Sequence, residues 1–448
     1  IKGDEVLFDV VSSFFPEVFG PFIKDDGGLD RTIKRADFDT DERARIEIAA
    51  SGRVQKSNPR NWSSQGHAKL RHFSYNGVPL ASATSDFRID SESSSFANIT
   101  AIFDYRDYAL HKRHGGPSEA TVSATRIGYD RKTKVTTLDN IAGTAWPAPV
   151  LRLFAPKTAN YVERTYRTHR LPSFVARGTV AERAPHEETS VEVDITIPGV
   201  TDYKFLGKDL QLSDATLDLR VGNRRVDVSN LTFDTFSGSG GGNITVVTPS
   251  GAPARYNGQI KWTRLHLAEI GQTYGFEKAE QGLVTGFFKF DGTANRIRSL
   301  NGQGAIGLEN GHLFYVPVLG PLSTILGEIV GDKRRSHEEA RDASCTFAVE
   351  NGVFHTSDFL TSTPSSIVTG EGQIDFNNSE IDMTMRMNAR GLLGIITLPL
   401  RPLTGLFQFR GTGPLKNPVW RNSNFTSPAR GKDDPIFRKP GRAQVVDE

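Results

Sequence analysis

Apolar and polar residues alternate along most of this chain with a period of two. Val191, Val193, Ile195 and Ile197 are separated by Glu192, Asp194 and Thr196. Leu217, Leu219 and Val221 repeat the pattern, and Val226 and Val228 resume it after Gly222 and Asn223. Ile99, Ala101, Phe103 and Tyr105 carry it near one end, and Ile381, Met383, Met385 and Met387 near the other. In an extended strand every second side chain lies on the same face, so each segment predicts an antiparallel strand with one apolar face. Asn76-Gly77, Asn310-Gly311 and Asn351-Gly352 punctuate the pattern and suit tight hairpins that need positive φ. The expectation is a mainly β fold built as a long antiparallel meander.

Three segments read as helices. Pro156 opens the first, with Ala159, Val162 and Tyr166 at helical spacing. In the second, around Pro321, Leu319, Leu322, Leu326 and Ile329 form one stripe. The third, 391–406, is apolar but interrupted by Pro399 and Pro402. Three short helices cannot cover the apolar face of about twenty strands, so the sheet must fold over as a sandwich, barrel or trough. The Trp146-Pro147-Ala148-Pro149 stretch breaks the strand pattern. A division is expected near residue 172, giving a β-rich part over 1–172, a second over 173–420, and a basic tail over 421–448 with little order.

Composition narrows the function. The chain has 448 residues, 37% hydrophobic, with 43 glycines, which places it among globular proteins rather than disordered ones. Lys and Arg total 54 against 52 Asp and Glu. That balance argues against a nucleic-acid partner, since phosphate contacts need a basic excess. A single cysteine, Cys345, excludes an internal disulfide framework and a Cys-based zinc site. No run reaches the roughly 18 apolar residues of a membrane span. The chain starts at Ile1 with no signal-like stretch, so any anchor is expected upstream of this segment.

Catalytic patterns are incomplete. His186-Glu187-Glu188 and His337-Glu338-Glu339 begin like a zinc-protease motif, but position 190 is Ser and position 341 is Arg. His111-Lys112-Arg113-His114 precedes Gly115-Gly116-Pro117 and reads as an exposed loop. Gly238-Ser-Gly-Gly-Gly-Asn243 is followed by a strand-like run instead of a helix, so it reads as a flexible connection rather than a phosphate cradle. Gly411-Thr-Gly-Pro-Leu-Lys416 lacks a P-loop ending, and no nucleophile elbow occurs. Neither catalytic residues nor a metal or cofactor are expected. The positive signal is that all three methionines, Met383, Met385 and Met387, share one face of one strand. Methionine adapts to irregular apolar partners such as acyl chains, although an ordinary core strand would use it too.

The C-terminal half carries an ordered set of segments. Leu300-Asn-Gly-Gln-Gly-Ala-Ile-Gly-Leu-Glu-Asn-Gly-His-Leu is followed by the Pro321 helix and Cys345-Thr-Phe-Ala-Val-Glu-Asn-Gly-Val-Phe-His-Thr-Ser-Asp-Phe. Gly370-Glu-Gly-Gln-Ile-Asp-Phe and Phe409-Arg-Gly-Thr-Gly-Pro-Leu-Lys-Asn-Pro complete it. Over roughly 200–420 this order resembles the C-terminal region of the AsmA-like family, which includes TamB. Ala155-Pro-Lys-Thr-Ala-Asn-Tyr-Val, with Leu171-Pro172 and an alternating strand, is similar to longer members. The resemblance implies an elongated taco-like trough, related to bridge-like lipid transfer proteins. It implies the periplasmic region of a protein anchored in the bacterial inner membrane, its anchor outside this chain, moving phospholipids for outer-membrane biogenesis.

The reading is therefore a non-enzymatic, lipid-handling β-groove. Candidate groove residues are Ile381, Met383, Met385, Met387, Val191, Val193, Ile195, Leu217, Leu219 and Val221. Leu319, Leu322, Leu326 and Ile329 are candidates for contact with a membrane, at one or both ends, or with an envelope protein. The alternative is a closed β-sandwich scaffold for protein binding, without a lipid channel. A β-rich hydrolase would require acidic or Ser/His groups to converge in a cleft.

Overall fold

The computed structural model describes residues 4–14, 38–106, 116–154, 156–181, 189–205, 208–275, 281–294, 296–311, 342–362, 366–389, 408–415 and 417–424. The protein is mainly β: 22 strands form one antiparallel, open sheet, and three short helices accompany it among the described residues. Two compact units divide the chain, one of residues 1–207 with 211–228, the other of 208–210 with 229–448.

The first unit begins with β1 (Glu5–Phe14), β2 (Phe38–Gln55), β3 (Trp62–Tyr75), β4 (Val78–Asp90) and β5 (Ser93–Asp104). Next come β6 (Glu119–Asp130) and β7 (Val135–Thr144), then the helices α1 (Pro147–Phe154) and α2 (Pro156–Thr165). β8 (Tyr166–Thr168), β9 (Ser173–Ala181), β10 (Ser190–Phe205) and β11 (Lys208–Gly222) follow. Strands β1 to β7 pair in chain order. β7 then pairs with β9 and β9 with β10, while short β8 joins the far part of β10. Because β7 and β9 are hydrogen-bonded across residue 172, that position is no boundary, and the division falls near residue 228 instead. The expected hairpin at Asn76-Gly77 is present, with φ of 50° and 71°.

The second unit is reached through β12 (Arg225–Thr235) and contains β13 (Gly238–Val247), β14 (Arg255–His266) and α3 (Leu267–Tyr274). It continues with β15 (Leu283–Thr293), β16 (Arg296–Glu309), β17 (Asp342–Glu350), β18 (Val353–Ser362) and β19 (Ser366–Asp375). β20 (Glu380–Ala389), β21 (Gln408–Pro414) and β22 (Val419–Asn422) complete it. From β13 to β22 each strand pairs with the next. Asn351-Gly352 closes the β17–β18 hairpin with φ of 53° and 78°.

The Pro156 helix is present as α2, tied to α1 by Arg152 and Glu163 at 2.8 Å. The Pro321 helix, the 391–406 segment and most of the tail lie outside the described residues, as do His111–His114, His186 and His337. The glycine run at 238–242 is no loop; it opens strand β13. Glycine is required at 241, where a Cβ would stand 2.4 Å from the Leu231 carbonyl oxygen.

Candidate functional site

In the first unit the strand registers assemble one apolar face. Val10 on β1 stands opposite Ala50, Ala50 opposite Gly66, and Gly66 opposite Phe87. The row continues through Phe96, Ile127, Leu138 and Gly178 to Val191 on β10. A second row runs from Ile46 through Leu70, Ala83, Ala101, Val122, Gly143 and Phe174 to Ile195. Between them lie Ile99, Ala124, Ile141, Ala176 and Val193. No charged residue interrupts either row. At a strand spacing of roughly 4.8 Å, the nine-strand row is about 38 Å long measured along the sheet.

The opposite face is polar. Glu192 accepts hydrogen bonds from Arg177 on β9 (3.1 Å) and Arg220 on β11 (2.6 Å). These guanidinium groups, Arg220 foremost, hold the Glu192 carboxyl below its ordinary range. His67 meets Asp86 at 3.0 Å, and Asn98 donates to the same carboxylate at 2.7 Å. Alternation fixes the consequence: with Glu192 and Arg220 outward, their neighbours Val191, Val193, Leu219 and Val221 point to the apolar side. Ile195 and Leu217 continue that parity, and all six sequence-predicted residues of this unit are half-buried.

One end of this face is sealed. Val78, Phe103, Tyr105 and Ala120 are buried with Ala145, Trp146 and Ala148 at the start of α1, and Val122 and Phe174 pack against them. Beyond this plug the face stays half-exposed, reaching 37% at Phe96 and 48% at Val10. β1 is an edge strand that pairs with β2 alone among the described residues.

The second unit treats its apolar face differently. Ile381, Met383, Met385 and Met387 are buried to 2%, 5%, 0% and 7% exposure. They join Leu267 of α3, Val284, Leu308, Val368, Phe409 and Trp420 in one cluster. Burial to that depth agrees with the ordinary-core alternative for this strand. Farther along the same strands the face is half-buried and aromatic. Tyr256, Phe290, Phe288, Phe347 and Phe354 form a ladder with successive centroid separations of 6.0, 5.4, 5.6 and 4.9 Å. The rings lie over glycines: a Cβ on Gly302 would stand 2.7 Å from Phe288, and one on Gly292 2.6 Å from the Tyr256 hydroxyl.

Phe87, Phe96, Ile127, Leu138 and the aromatic ladder belong to the apolar faces but were not singled out by sequence. Their signal is local, an apolar residue every second position with glycine opposite aromatic, a pairing that fills the space a missing side chain leaves. The contact candidates Leu319, Leu322, Leu326 and Ile329 lie outside the described residues. Among the described residues no cluster of His, Cys, Asp or Glu could hold a metal ion, and no helix is long and apolar enough to cross a membrane. The Cys345 thiol is pushed up to about 12 by burial and by the Asp358 carboxylate, so it stays protonated at neutral pH. Asp358 itself accepts from the Thr346 backbone N–H (2.8 Å) and hydroxyl (2.6 Å), where the β17–β18 register slips. No family model, curated protein or solved structure matches this chain.

Proposed function

We propose that this protein handles lipids, carrying phospholipid acyl chains along the apolar face of its first unit. The observation that supports this is the unbroken, uncharged and half-exposed row from Val10 to Val191. An acyl chain spans about half of a hydrocarbon core some 30 Å thick, so one row has length for more than one chain end to end. Each methylene withdrawn from water contributes about 0.8 kcal/mol, and a continuous lining keeps that gain along the whole path. Transfer of this kind needs no bond chemistry. The headgroup stays in water while the chain lies on the sheet.

The cellular setting we propose is the bacterial envelope, with this chain as the periplasmic region of an inner-membrane-anchored protein that serves outer-membrane biogenesis. The resemblance over 200–420 supports that setting, and a half-exposed apolar β-face agrees with it. The competing scaffold reading draws on the sealed methionine core of the second unit, which is how a closed sandwich would bury its apolar faces.

Native mass spectrometry of the gently purified chain separates the two. The lipid reading expects phospholipid adducts that disappear in Val193→Glu, with the melting temperature nearly unchanged because residue 193 is half-exposed and the new carboxylate keeps part of its hydration. Asp194→Lys, on the polar face, should leave both adducts and melting alone. Absent adducts in the wild type, or a collapsed melt for Val193→Glu alone, would favour the scaffold.

A further inference from the structure

The polar face of the second unit carries a cleft of about 1040 Å³. Its floor is one cross-strand row. Gln303 stands opposite Ala348, Ala348 opposite His355, His355 opposite Gln373, and Gln373 opposite Asp382. Thr384 and Ser357 stand beside that row, and Phe287 lines one flank.

The charges in the cleft are already satisfied by one another. Arg410 grips Asp382 with two hydrogen bonds of 2.8 and 2.7 Å, and this holds the Asp382 carboxyl below its ordinary range. Arg386, only 7% exposed, donates to Glu371 at 2.6 Å and to the Gln408 side-chain oxygen at 3.1 Å. The Gln408 amide in turn donates to Ser423 (3.0 Å) and to the Asn424 carbonyl (2.7 Å). Two guanidinium groups thus balance two carboxylates in fixed geometry, and Lys289, opposite Gln303 on the next strand, lies outside the residues that line the cleft. The side chains of Gln303, His355, Gln373 and Thr384, by contrast, have no hydrogen-bond partner among the described residues. They offer amide, imidazole and hydroxyl groups that both donate and accept; His355 and Gln373 sit on adjacent strands roughly 4.8 Å apart, and Gln303 lies two strands, about 10 Å, from His355.

Paired donors and acceptors at that spacing, without net charge and beside an aromatic ring, suit a neutral polyhydroxylated ligand. Each sugar hydroxyl is itself donor and acceptor, and the C–H face of the ring packs on phenyl. We propose that this cleft binds neutral carbohydrate, an oligosaccharide of a few rings laid across β16 to β20. The site is on a different unit and a different kind of surface from the lipid face, so either proposal stands or falls without the other.

The test is saturation-transfer difference NMR on the full chain. Maltotriose, cellotriose and triacetylchitotriose serve as neutral probes, and sialyllactose as an anionic one. At least one neutral probe should receive saturation and bind more tightly than sialyllactose. Gln373→Ala, an exposed position, should weaken that probe about tenfold while leaving the melting temperature in place, as expected when a binding site loses a hydrogen-bonding group. Three results would overturn the proposal: no saturation of any neutral probe, tighter binding of sialyllactose than of every neutral probe, or wild-type affinity in Gln373→Ala.

Discussion

Met385 shows how much a single buried position decides. Its side chain has no exposed surface and sits among Met383, Met387, Val368 and Phe409. A Cβ added at Gly370, directly across the β19–β20 pair, would run into its sulfur. Met385→Glu would place an unpaired carboxylate in that cluster, which costs several kcal/mol. Against a total stability of about 5–15 kcal/mol this is a large share. Urea unfolding followed by far-UV circular dichroism should show the loss, while Met385→Leu, which conserves volume, should cost less than about 1.5 kcal/mol. A Met385→Glu midpoint equal to that of the wild type would move the residue out of the core. The sequence correctly put the three methionines on one face. It could not say how deep that face lies, because alternation reports the direction of a side chain and nothing about what covers it.

Among the elements, the glycine-bearing strands are the least obvious from sequence and the most constrained in structure. Glycine is depleted in strands for lack of a side chain to pack, which is why the run at 238–242 reads as a connection. Across the β-pairs that deficit is made good by a ring. Gly286 on β15 lies beneath Trp262 of β14, where a Cβ would be 2.7 Å from the indole and 2.5 Å from the Ala305 carbonyl oxygen. The carbonyl belongs to the sheet ladder and cannot yield. Gly286→Ala should therefore destabilise the chain by about 1–3 kcal/mol, although alanine elsewhere in an extended strand is nearly neutral. Differential scanning calorimetry would register it, and an unchanged melting temperature would contradict the ring-over-glycine packing. The strands over 99–105, 191–197, 217–221 and 381–387 were legible because half-buried sheets enforce a period of two. Helix α3 was not, since its eight residues include Gly271 and span too few turns to show a stripe. The rows that make the lipid face were legible only strand by strand. Their joining depends on register, which local sequence does not encode when turns vary in length.

For the molecule as a whole, the balance of 54 basic and 52 acidic residues leaves the two sheet faces to differ in polarity rather than in sign of charge. Ion pairs such as Arg177–Glu192–Arg220 and Asp382–Arg410 keep the polar faces wet and neutral. Among the described residues, α1 contributes to the buried cluster of the first unit and α3 to that of the second. Within each unit the pleat itself sets an apolar face against a polar one.

Pairing in chain order also has a mechanical consequence. Within each unit nearly every strand is held by its immediate neighbours in sequence, and among the described residues only the β7–β9 and β8–β10 pairs depart from that order. A load applied through the two termini would bear first on the outermost strands, whose hydrogen bonds would open one after another like a zip. Single-molecule stretching should record a train of small extensions, about 4–5 nm for each strand of roughly 13 residues. One abrupt rip through a whole unit would show instead that its strands resist together. On relaxation the same locality favours rapid recovery, since each hairpin can close on its own before the next is added. Such a protein yields under tension by degrees and rewinds from whichever part is still folded.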